Sequence, residues 1–349
     1  MQMLRVNPLT DLAWKNLVHS HDLGSVFHSI DWIESVSECY GFQPTAYILL
    51  NGSETPIAGL HLCNITDIRG HRLVSFPFCD FTDPIVADPK AWQVLSDSVF
   101  ADNAPFHIRC LHNEIPLDDP RLTITKQTMW HGLNVEPNLD TLWHNIESSA
   151  RRAIKKAQRV GVTVRPAETL SDWRAFFTLH LRIRKSKYQL LAQPFAFFEA
   201  LKVRFVDKGR GVLLLAELEG QVIGSVLYLG WKDTLTYKFS ASDFDFLDKR
   251  PTDLLVWEGI RYAKENGYSF IDFGASDLDQ EGLIRYKRKF ADNEKLISFL
   301  KYTPDGYVDH PRDKETSSTL GYLTDLLTHP QVPDSVTENA GKLLYRYFV

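Results

Sequence analysis

The chain contains the same strand-and-turn pattern twice, in residues 44–81 and 211–244. Each copy begins with an apolar strand that runs into a polar, glycine-containing turn, NGSETP in the first and ELEGQ in the second. A second strand then starts with a small bend residue (IAGL and VIGSV), and a third strand follows after another turn. Turns of this composition between apolar runs predict antiparallel meanders. A chain with two such meanders has few topologies open to it.

Helical patterns surround both meanders, as in DWIESVSECYGF before the first and PTDLLVWEGIRYAKENG after the second. A helix, a meander, and then further helix and strand predict an α/β (α+β) fold, with mixed sheets flanked by helices, present twice in tandem. We expect a first domain over residues 1–130, a second over 140–302 and a helical extension over 303–349. Two unrelated hairpins within one α/β fold remain the alternative interpretation.

Composition bounds the class of protein. With 349 residues, of which 44% are hydrophobic and 24% charged, the chain has the content of a soluble globular protein of about two domains. A formal net charge of −5 excludes a globally basic nucleic-acid binder, although a local basic face could still bind phosphate. The first residues lack an apolar core of signal-peptide length, and no run approaches the ~18 apolar residues of a membrane span. We therefore expect a cytoplasmic protein without a membrane span.

One predicted helix, LWHNIESSARRAIKKAQRVG, carries concentrated positive charge. Its five cations repeat at near-helical spacing and would share one broad face. They are Arg151, Arg152, Lys155, Lys156 and Arg159. A solvated surface is the ordinary outcome for such a run, and a site for the phosphate of RNA or of a nucleotide-linked substrate is the functional one.

The stretch DFLDKRPTDLLVWEGIRYAKENG predicts a loop followed by a helix. Thr252 or Asp253 is placed to cap this helix, and Gly267 supplies a C-terminal stop. A helix start favours an anionic ligand. Here, however, the loop has no Gly-x-Gly, and Asp248 and Asp253 bring carboxylates to the helix start. We therefore expect no pyrophosphate cradle at this loop.

The following segments carry polar groups that could face a binding crevice. The strand YSFIDFGAS places Asp272 among apolar neighbours and continues into Gly274, at the edge where many α/β sheets bind ligands. The ordinary role of such an aspartate is to cap a turn or to pair with an arginine. If the next segment, GLIRYKRKF, forms a strand, Arg285 and Lys287 lie on one side of it. If it forms the end of a helix, its cations are only a cluster exposed to solvent.

No motif for metal-dependent or covalent catalysis is visible in the sequence. Neither an HExxH motif nor a Ser-His-Asp order occurs, so we expect no metal site and no tightly bound cofactor. The four cysteines lie in the first third of the chain without a CxxC pair, which favours reduced, mostly buried thiols.

Several separated motifs, in the right order, resemble the FemAB family of transferases. They are FHSIDWIESV, GHRLVSFPFCDFTDP, SSARRAIKKAQRVGVTV, YKFSASD, PTDLLVWEGIRYA, IDFGAS and EGLIRYKRKF. The resemblance covers nearly the whole chain before the 303–349 tail. The family has two tandem domains of the GNAT acyltransferase type, and the resemblance implies this fold here, without the long helical arm of some members.

The activity that the resemblance implies is acyl transfer to an amine. Characterised FemAB members move an amino acid from aminoacyl-tRNA onto a peptidoglycan precursor, and relatives near exopolysaccharide genes are assumed to be acyltransferases. For this chain the resemblance implies an acyl or aminoacyl group from acyl-CoA or aminoacyl-tRNA, and an amine acceptor that is a small molecule, a glycan or a peptide. Its degenerate loop argues against the standard mode of CoA binding.

Two departures from the family narrow the acceptor. FemX-type members grip a diphosphate with a lysine after the tryptophan of the first helix and an arginine before an aromatic pair. This chain has Glu34 after Trp32, and Gln193 before Phe197 and Phe198. UDP-muramyl pentapeptide is therefore not the expected acceptor.

Acyl transfer to an amine requires positioning, a neutral nucleophile and stabilisation of an oxyanion. Lys287 matches a family lysine near the transfer site, and we expect it to face a cleft, with Asp272 in the same pocket, and to stabilise the developing charge. Asp272 and Asp80 are the candidates to orient or deprotonate an ammonium. The residues expected to line the crevice or to bind substrate are Tyr237, Ser240, Ser242, Gly274, Arg285 and Tyr286.

Two other classes of function stay open. A non-catalytic polysaccharide- or protein-binding module would keep this fold with its cleft blocked by aromatic side chains at Lys287. A dedicated RNA binder would need the basic helix face to continue through Arg182, Arg184, Lys185 and Lys187.

Overall fold

The first meander lies within a four-stranded sheet in the computed structural model, which describes residues 1–68, 70–308 and 311–349. The strands are β1 (Gln2–Val6), β2 (Gln43–Leu50), β3 (Pro56–Asp67) and β4 (Gly70–Ser75). They are ordered β1-β2-β3-β4, and each neighbouring pair is antiparallel. Asn51 closes the first turn, because its side-chain oxygen accepts hydrogen bonds from the amides of Ser53 and Thr55, both at 2.9 Å.

Three helices and another strand accompany this sheet. They are α1 (Leu12–Ser20), α2 (Ile30–Tyr40), α3 (Pro89–Phe100) and β5 (Phe106–Cys110). The hydroxyl of Ser29 caps α2 by accepting from the Trp32 amide, and Gly41 ends this helix in the left-handed conformation. Helix α3 buries Trp92 and Leu95 in one core with strands β2 and β3.

The second meander also folds as predicted. Its strands β8 (Gly211–Leu218), β9 (Gln221–Trp231) and β10 (Thr234–Ser242) are antiparallel neighbours. Strand β7 (Thr163–Pro166) pairs with β8, and β11 (Phe270–Asp277) runs parallel to β10, which makes this sheet mixed. The expected α/β fold with sheets flanked by helices is confirmed.

The remaining helices lie between residues 139 and 344. They are α4 (Leu139–Asn145), α5 (Ser148–Arg159), α6 (Leu170–Ser186), α7 (Phe195–Leu201), α8 (Pro251–Glu265), α9 (Glu281–Arg288), α10 (Pro311–Leu327) and α11 (Asp334–Leu344). Helices α5 and α8 pack on the second meander through one core that includes Ile154, Leu255 and Val226.

The chain forms two units. The first comprises residues 1–129, 295–319 and 349, and the second comprises 130–294 and 320–348. Strands β6 (Leu122–Asn134) and β12 (Asn293–Tyr302) and helix α10 contribute residues to both. Within the first unit, β12 pairs antiparallel with β5.

Helix length bears on the expected absence of a long helical arm. In the ranges that the structure describes, the longest helices are α6 and α10, with 17 residues each. The basic helix α5 has only 12 residues. No helix in those ranges has both the length and the apolar character required to span a bilayer.

Candidate functional site

Strands β10 and β11 separate within the second unit. Across the described residues they are paired only where Thr234–Thr236 lies opposite Phe270–Asp272. Immediately afterwards, between Tyr237 and Phe239, the register of β10 against β9 shifts. Such an irregularity bends a strand and redirects its side chains. The second half of β10 therefore has a side that β11 does not cover.

A cavity of about 580 Å³ lies at this end of β10. Its walls are the end of α6, the end of β10, the short 3₁₀ segment Phe244–Lys249, and the starts of α8 and α9. Four residues predicted to line a substrate crevice are brought together here, namely Tyr237, Ser240, Ser242 and Tyr286. The volume falls within the range of about 300–1,000 Å³ that is typical of small-molecule sites.

The cavity carries two tyrosine hydroxyls in different states. Tyr237 hydrogen-bonds with Ser240, and burial raises the pKa of Tyr237 to about 12. The hydroxyl of Tyr286 is buried and makes no hydrogen bond to any residue that the structure describes, and burial raises its pKa well above the ordinary value. Both side chains are therefore protonated at neutral pH and present O–H donors.

Asp253 is a further polar group of this cavity, and it was predicted only as a helix cap. Its side chain lines the cavity although the residue is only 6% exposed. Its Oδ1 atom is buried and has no hydrogen-bond partner in the described chain. Burial raises the pKa of the Asp253 carboxyl, and the positive charges of Lys289 and Arg250 partly offset this. The sequence signal that could have identified it is a single acidic residue just before the apolar run 254–257 of this helix.

The mouth of the cavity has a different character from its interior. Lys187 and Arg250 line it as exposed cations, and Phe244 and Leu247 line it as exposed apolar side chains. The carboxylate of Asp253 lies buried beyond them. A ligand that fits this arrangement carries a negative charge where it contacts Lys187 and Arg250, and a positive charge where it approaches Asp253.

Backbone amides in the loop before α8 donate hydrogen bonds to acceptors within the same loop. The Asp245 amide donates to Asp243 Oδ1 at 3.1 Å, and the Phe246 amide donates to the Asp243 carbonyl at 3.2 Å. The Arg250 amide donates to the Leu247 carbonyl at 3.1 Å. Amides that are already paired cannot cradle a pyrophosphate.

The predicted cap of α8 was wrong. The helix begins at Pro251, and Arg250 precedes it in the left-handed conformation at φ 63°. Proline is suited to the first helical position, because its φ is fixed there and it has no amide to leave unpaired. Thr252 instead shares a 2.7 Å hydrogen bond with Ser242, between their hydroxyl oxygens.

Neither Lys287 nor Asp272 lines this cavity, and their place together in a cleft stays a prediction. The Asp272 carboxylate accepts hydrogen bonds from Trp130 Nε1 and from the Gly274 amide, both at 2.7 Å. The ammonium of Lys287 donates to the carbonyls of Gly274 and Ala275 at 3.0 and 2.8 Å. These contacts hold the turn at Gly274, whose φ is 69°. The geometry favours the turn-capping role for Asp272.

The choice between strand and helix for GLIRYKRKF is settled by α9. On this helix Ile284 and Lys287 are buried, whereas Arg285 and Arg288 are exposed. Arg285 and Lys287 therefore do not share a side, and Arg285 is not part of the cavity wall.

Asp80 belongs to the first unit. It is half-buried, and its charge acts on the guanidinium of Arg109, whose pKa is lowered by burial. The Arg109 guanidinium also donates to the Cys79 carbonyl. The role of Asp80 in acyl transfer stays a prediction.

The basic face of α5 is smaller than the sequence indicated. Arg151 donates through Nη1 to the carbonyls of His144 and Ile146, both at 2.6 Å, and so fastens the end of α4. Arg152, Lys155 and Arg159 are exposed. Arg151 is only partly exposed and is engaged by backbone acceptors, because the carbonyls at the end of a short helix need donors.

The four cations proposed to extend this face do not form one exposed surface. Lys185 is buried, and its ammonium is 2.8 Å from Asp334 Oδ1. Arg184 donates through Nε to the Leu191 carbonyl at 3.0 Å. Arg182 and Lys187 are exposed, and Lys187 lines the cavity. The condition set for a dedicated RNA binder is therefore not met.

Gln193 occupies a structural position. It is buried, and its Oε1 atom lies 2.8 Å from Nε2 of His180. Burial lowers the pKa of His180 to about 4, so this ring is neutral. The side chain of Gln193 is therefore engaged inside the second unit.

Comparison with known proteins identifies the segment that holds the cavity. The family described as the Acetyltransferase (GNAT) domain matches residues 145–288. This segment of the second unit is therefore similar to the GNAT domain. All the residues of the cavity wall lie inside the matched segment. No curated protein matches the chain by sequence.

Solved structures extend the likeness to both units. The structure of FemX is 16% identical, with a TM-score of 0.67, and the match covers 90% of this chain and 99% of FemX. The C-terminal domain of a putative lysylphosphatidylglycerol synthetase from Agrobacterium fabrum is 11% identical, with a TM-score of 0.54, and the match covers 90% of this chain and 94% of that domain.

A tandem GNAT protein from the clavulanic acid biosynthesis pathway is 10% identical, with a TM-score of 0.53. The match covers 88% of this chain and 99% of that protein. The tandem GNAT fold implied by the FemAB resemblance is confirmed.

Proposed function

We propose that this chain is an N-acyltransferase that moves an acyl or aminoacyl group from an activated ester or thioester to an amine of a cell-wall or polysaccharide-related acceptor. The observation that carries the proposal is the cavity at the end of β10, because it lies inside the segment similar to the GNAT domain and gathers buried polar side chains. Perturbed titratable groups in a concave pocket are typical of functional sites.

The chemistry requires few groups, because the donor is already activated. The amine must lose a proton before it attacks, and the carbonyl oxygen gains negative charge in the transition state. The hydroxyls of Tyr286 and Tyr237 are neutral donors in a buried setting and are suited to that charge. Lys287 then has a positioning role through the carbonyls of Gly274 and Ala275.

The names of two similar structures fit the two donor classes under consideration. One is a putative lysylphosphatidylglycerol synthetase, which is named for a lysyl product. The other is a tandem GNAT protein whose name refers to AcCoA. Amides of the loop before α8 are already hydrogen-bonded within the loop and are poorly placed to bind the pyrophosphate of CoA. We therefore favour the aminoacyl class of donor for this chain.

A screen for product tests the proposal. The purified chain is incubated with aminoacyl-tRNA and with a set of acyl-CoAs, each together with amino sugars and lysine-containing peptides, and new amides are detected by mass spectrometry. We expect an amide with at least one donor. The absence of any amide, and of any donor-induced rise in melting temperature, would contradict the proposal.

Acetyl-CoA is expected to bind weakly at the loop before α8. Its pyrophosphate would meet amides that already have acceptors and the Asp253 carboxylate at the helix start. We expect a Kd above about 1 mM, which corresponds to less than about 4 kcal/mol of binding free energy. Calorimetry that showed micromolar binding would contradict this interpretation of the loop.

The exposed cations of α5 are proposed to contact the phosphates of an aminoacyl-tRNA donor. Replacing Arg152, Lys155 and Arg159 with glutamine should reduce the slope of log affinity against log salt by about 2–3, because each phosphate contact releases about one counterion. Arg151 is left intact, because it fastens α4. Filter binding at several salt concentrations measures the slope.

A matched triple variant controls for net charge. Lys90, Lys314 and Lys342 are exposed and lie outside α5, so replacing them with glutamine removes the same three charges. We expect this variant to keep nearly the whole slope. Equal slopes for the two triple variants would exclude α5 as a specific contact.

A further inference from the structure

One oxygen of the buried Asp253 carboxylate, Oδ1, lacks a hydrogen-bond partner in the described chain. The residue is 6% exposed. Removing a carboxylate from water without a compensating partner is costly, and native proteins seldom keep such a group without a use. Because Asp253 lines a cavity, a ligand that reaches Oδ1 from that cavity would supply the missing donor.

The surroundings of Asp253 specify the kind of donor. Tyr237 and Tyr286 both line the same cavity, and the negative charge of Asp253 contributes to the raised pKa of each tyrosine. Tyrosine ring faces attract cations. The cations Lys289 and Arg250 influence the carboxylate, but neither forms an ion pair with it within 4.0 Å. A buried carboxylate in a cavity that also contains two tyrosine rings is suited to a primary ammonium group.

We propose that the Asp253 carboxylate binds a primary ammonium group of a substrate inside this cavity. The proposal rests on the proposed acyl transfer, and it assigns to that site a substrate with an amine. The ammonium belongs either to an aminoacyl donor or to the acceptor. The exposed Lys187 and Arg250 at the mouth are placed for an anionic part of the same ligand.

If the ammonium is the acceptor's, the carboxylate also takes part in the reaction. One N–H proton passes to Asp253, and the nitrogen lone pair forms a bond to the acyl carbonyl carbon. The bond from that carbon to the ester oxygen or thioester sulfur then breaks. The leaving atom takes the second proton lost by the nitrogen, and Asp253 releases the first to solvent. The raised pKa of Asp253 makes it a stronger base than an ordinary carboxylate.

Isosteric probes test whether an ammonium is recognised. The donor pair is 3′-alanylamino-3′-deoxyadenosine and its 3′-propionylamino counterpart. The acceptor pair is N-acetyl-lysinamide and N-acetyl-norleucinamide. We expect the ammonium-bearing member of one pair to bind about 10- to 100-fold more tightly in calorimetry, as a charge-assisted hydrogen bond provides. The pair that shows the preference identifies the source of the ammonium.

The variant Asp253→Asn should abolish that preference. It should unfold at a temperature no lower than the wild type, because Oδ1 has no partner to lose. Asp248→Asn is the matched control, because the Asp248 side chain is 60% exposed and lies on the preceding loop. We expect the control to keep the preference.

Two results would overturn the assignment of Asp253. One is equal affinity within both pairs, and the other is a preference that survives in Asp253→Asn. Neither result affects the proposed acyl transfer, which is tested separately by amide formation and by obstruction of the cavity. Failure of the inference and failure of the proposed function are therefore distinguishable.

Discussion

Replacing Asp272 with alanine is expected to lower the free energy of unfolding by about 2–4 kcal/mol, because two buried donors lose their acceptor at once. These donors are Trp130 Nε1 and the Gly274 amide, each 2.7 Å from the carboxylate. The turn at Gly274 would also lose a contact that holds the carbonyls bound by Lys287. Urea unfolding monitored by tryptophan fluorescence measures the loss.

Two further variants separate a structural role for Asp272 from a catalytic one. Asp279→Ala removes an exposed aspartate in the same segment and should leave stability within about 0.5 kcal/mol of wild type. Asp272→Asn keeps a carbonyl oxygen for both donors and should retain most of the stability and of the acyl transfer. Wild-type stability in Asp272→Ala, or loss of transfer in a stable Asp272→Asn, would contradict the capping role.

The meanders were predictable because residues close together in the sequence determine their turns and strands. Asn51 follows β2 directly, and its side chain makes the turn that its position in the sequence indicated. The apolar runs on either side fix the strands, and the small bend residues fall where the pattern placed them. Nothing distant in the chain is needed to specify such a unit.

The candidate site was predicted in part. Tyr237, Ser240 and Ser242 follow one another on β10, so their shared crevice follows from one strand. Tyr286 reaches the same cavity from α9. Lys287 lies next to it on that helix and is turned inward to backbone carbonyls, which a pattern compatible with strand and helix could not decide.

Other features of the structure that the sequence did not indicate arise from contacts between distant residues. Asp272 accepts from Trp130, and no spacing in the sequence relates the two. Arg151 belongs to a basic run, but its guanidinium is used by the end of the preceding helix. Asp253 was interpreted as a cap because aspartate is common there, whereas Pro251 moved the helix start.

Obstructing the cavity should have the largest effect on activity. Gly282 lines the cavity at the start of α9, and a Cβ atom built there meets no atom within 4 Å. Gly282→Trp therefore adds an indole without a clash at its Cβ. Because the added ring competes with substrate for a space of about 580 Å³, we expect amide formation to fall by about 100-fold or more, equivalent to about 2.7 kcal/mol.

The control for this variant has the same substitution on another helix. Gly321 lies on α10, is exposed, and also has no atom within 4 Å of a built Cβ. Gly321→Trp should keep the wild-type rate. Melting temperatures close to wild type are expected for both variants, because replacing glycine within a helix does not weaken the helix.

The rate of amide formation by Gly282→Trp, relative to Gly321→Trp, tests most directly whether this cavity is the site of acyl transfer. The initial rate is measured by mass spectrometry with a donor and an acceptor that give product with the wild type. We predict a loss of about 100-fold confined to Gly282→Trp. Equal rates for the two folded variants would show that acyl transfer takes place elsewhere in the chain.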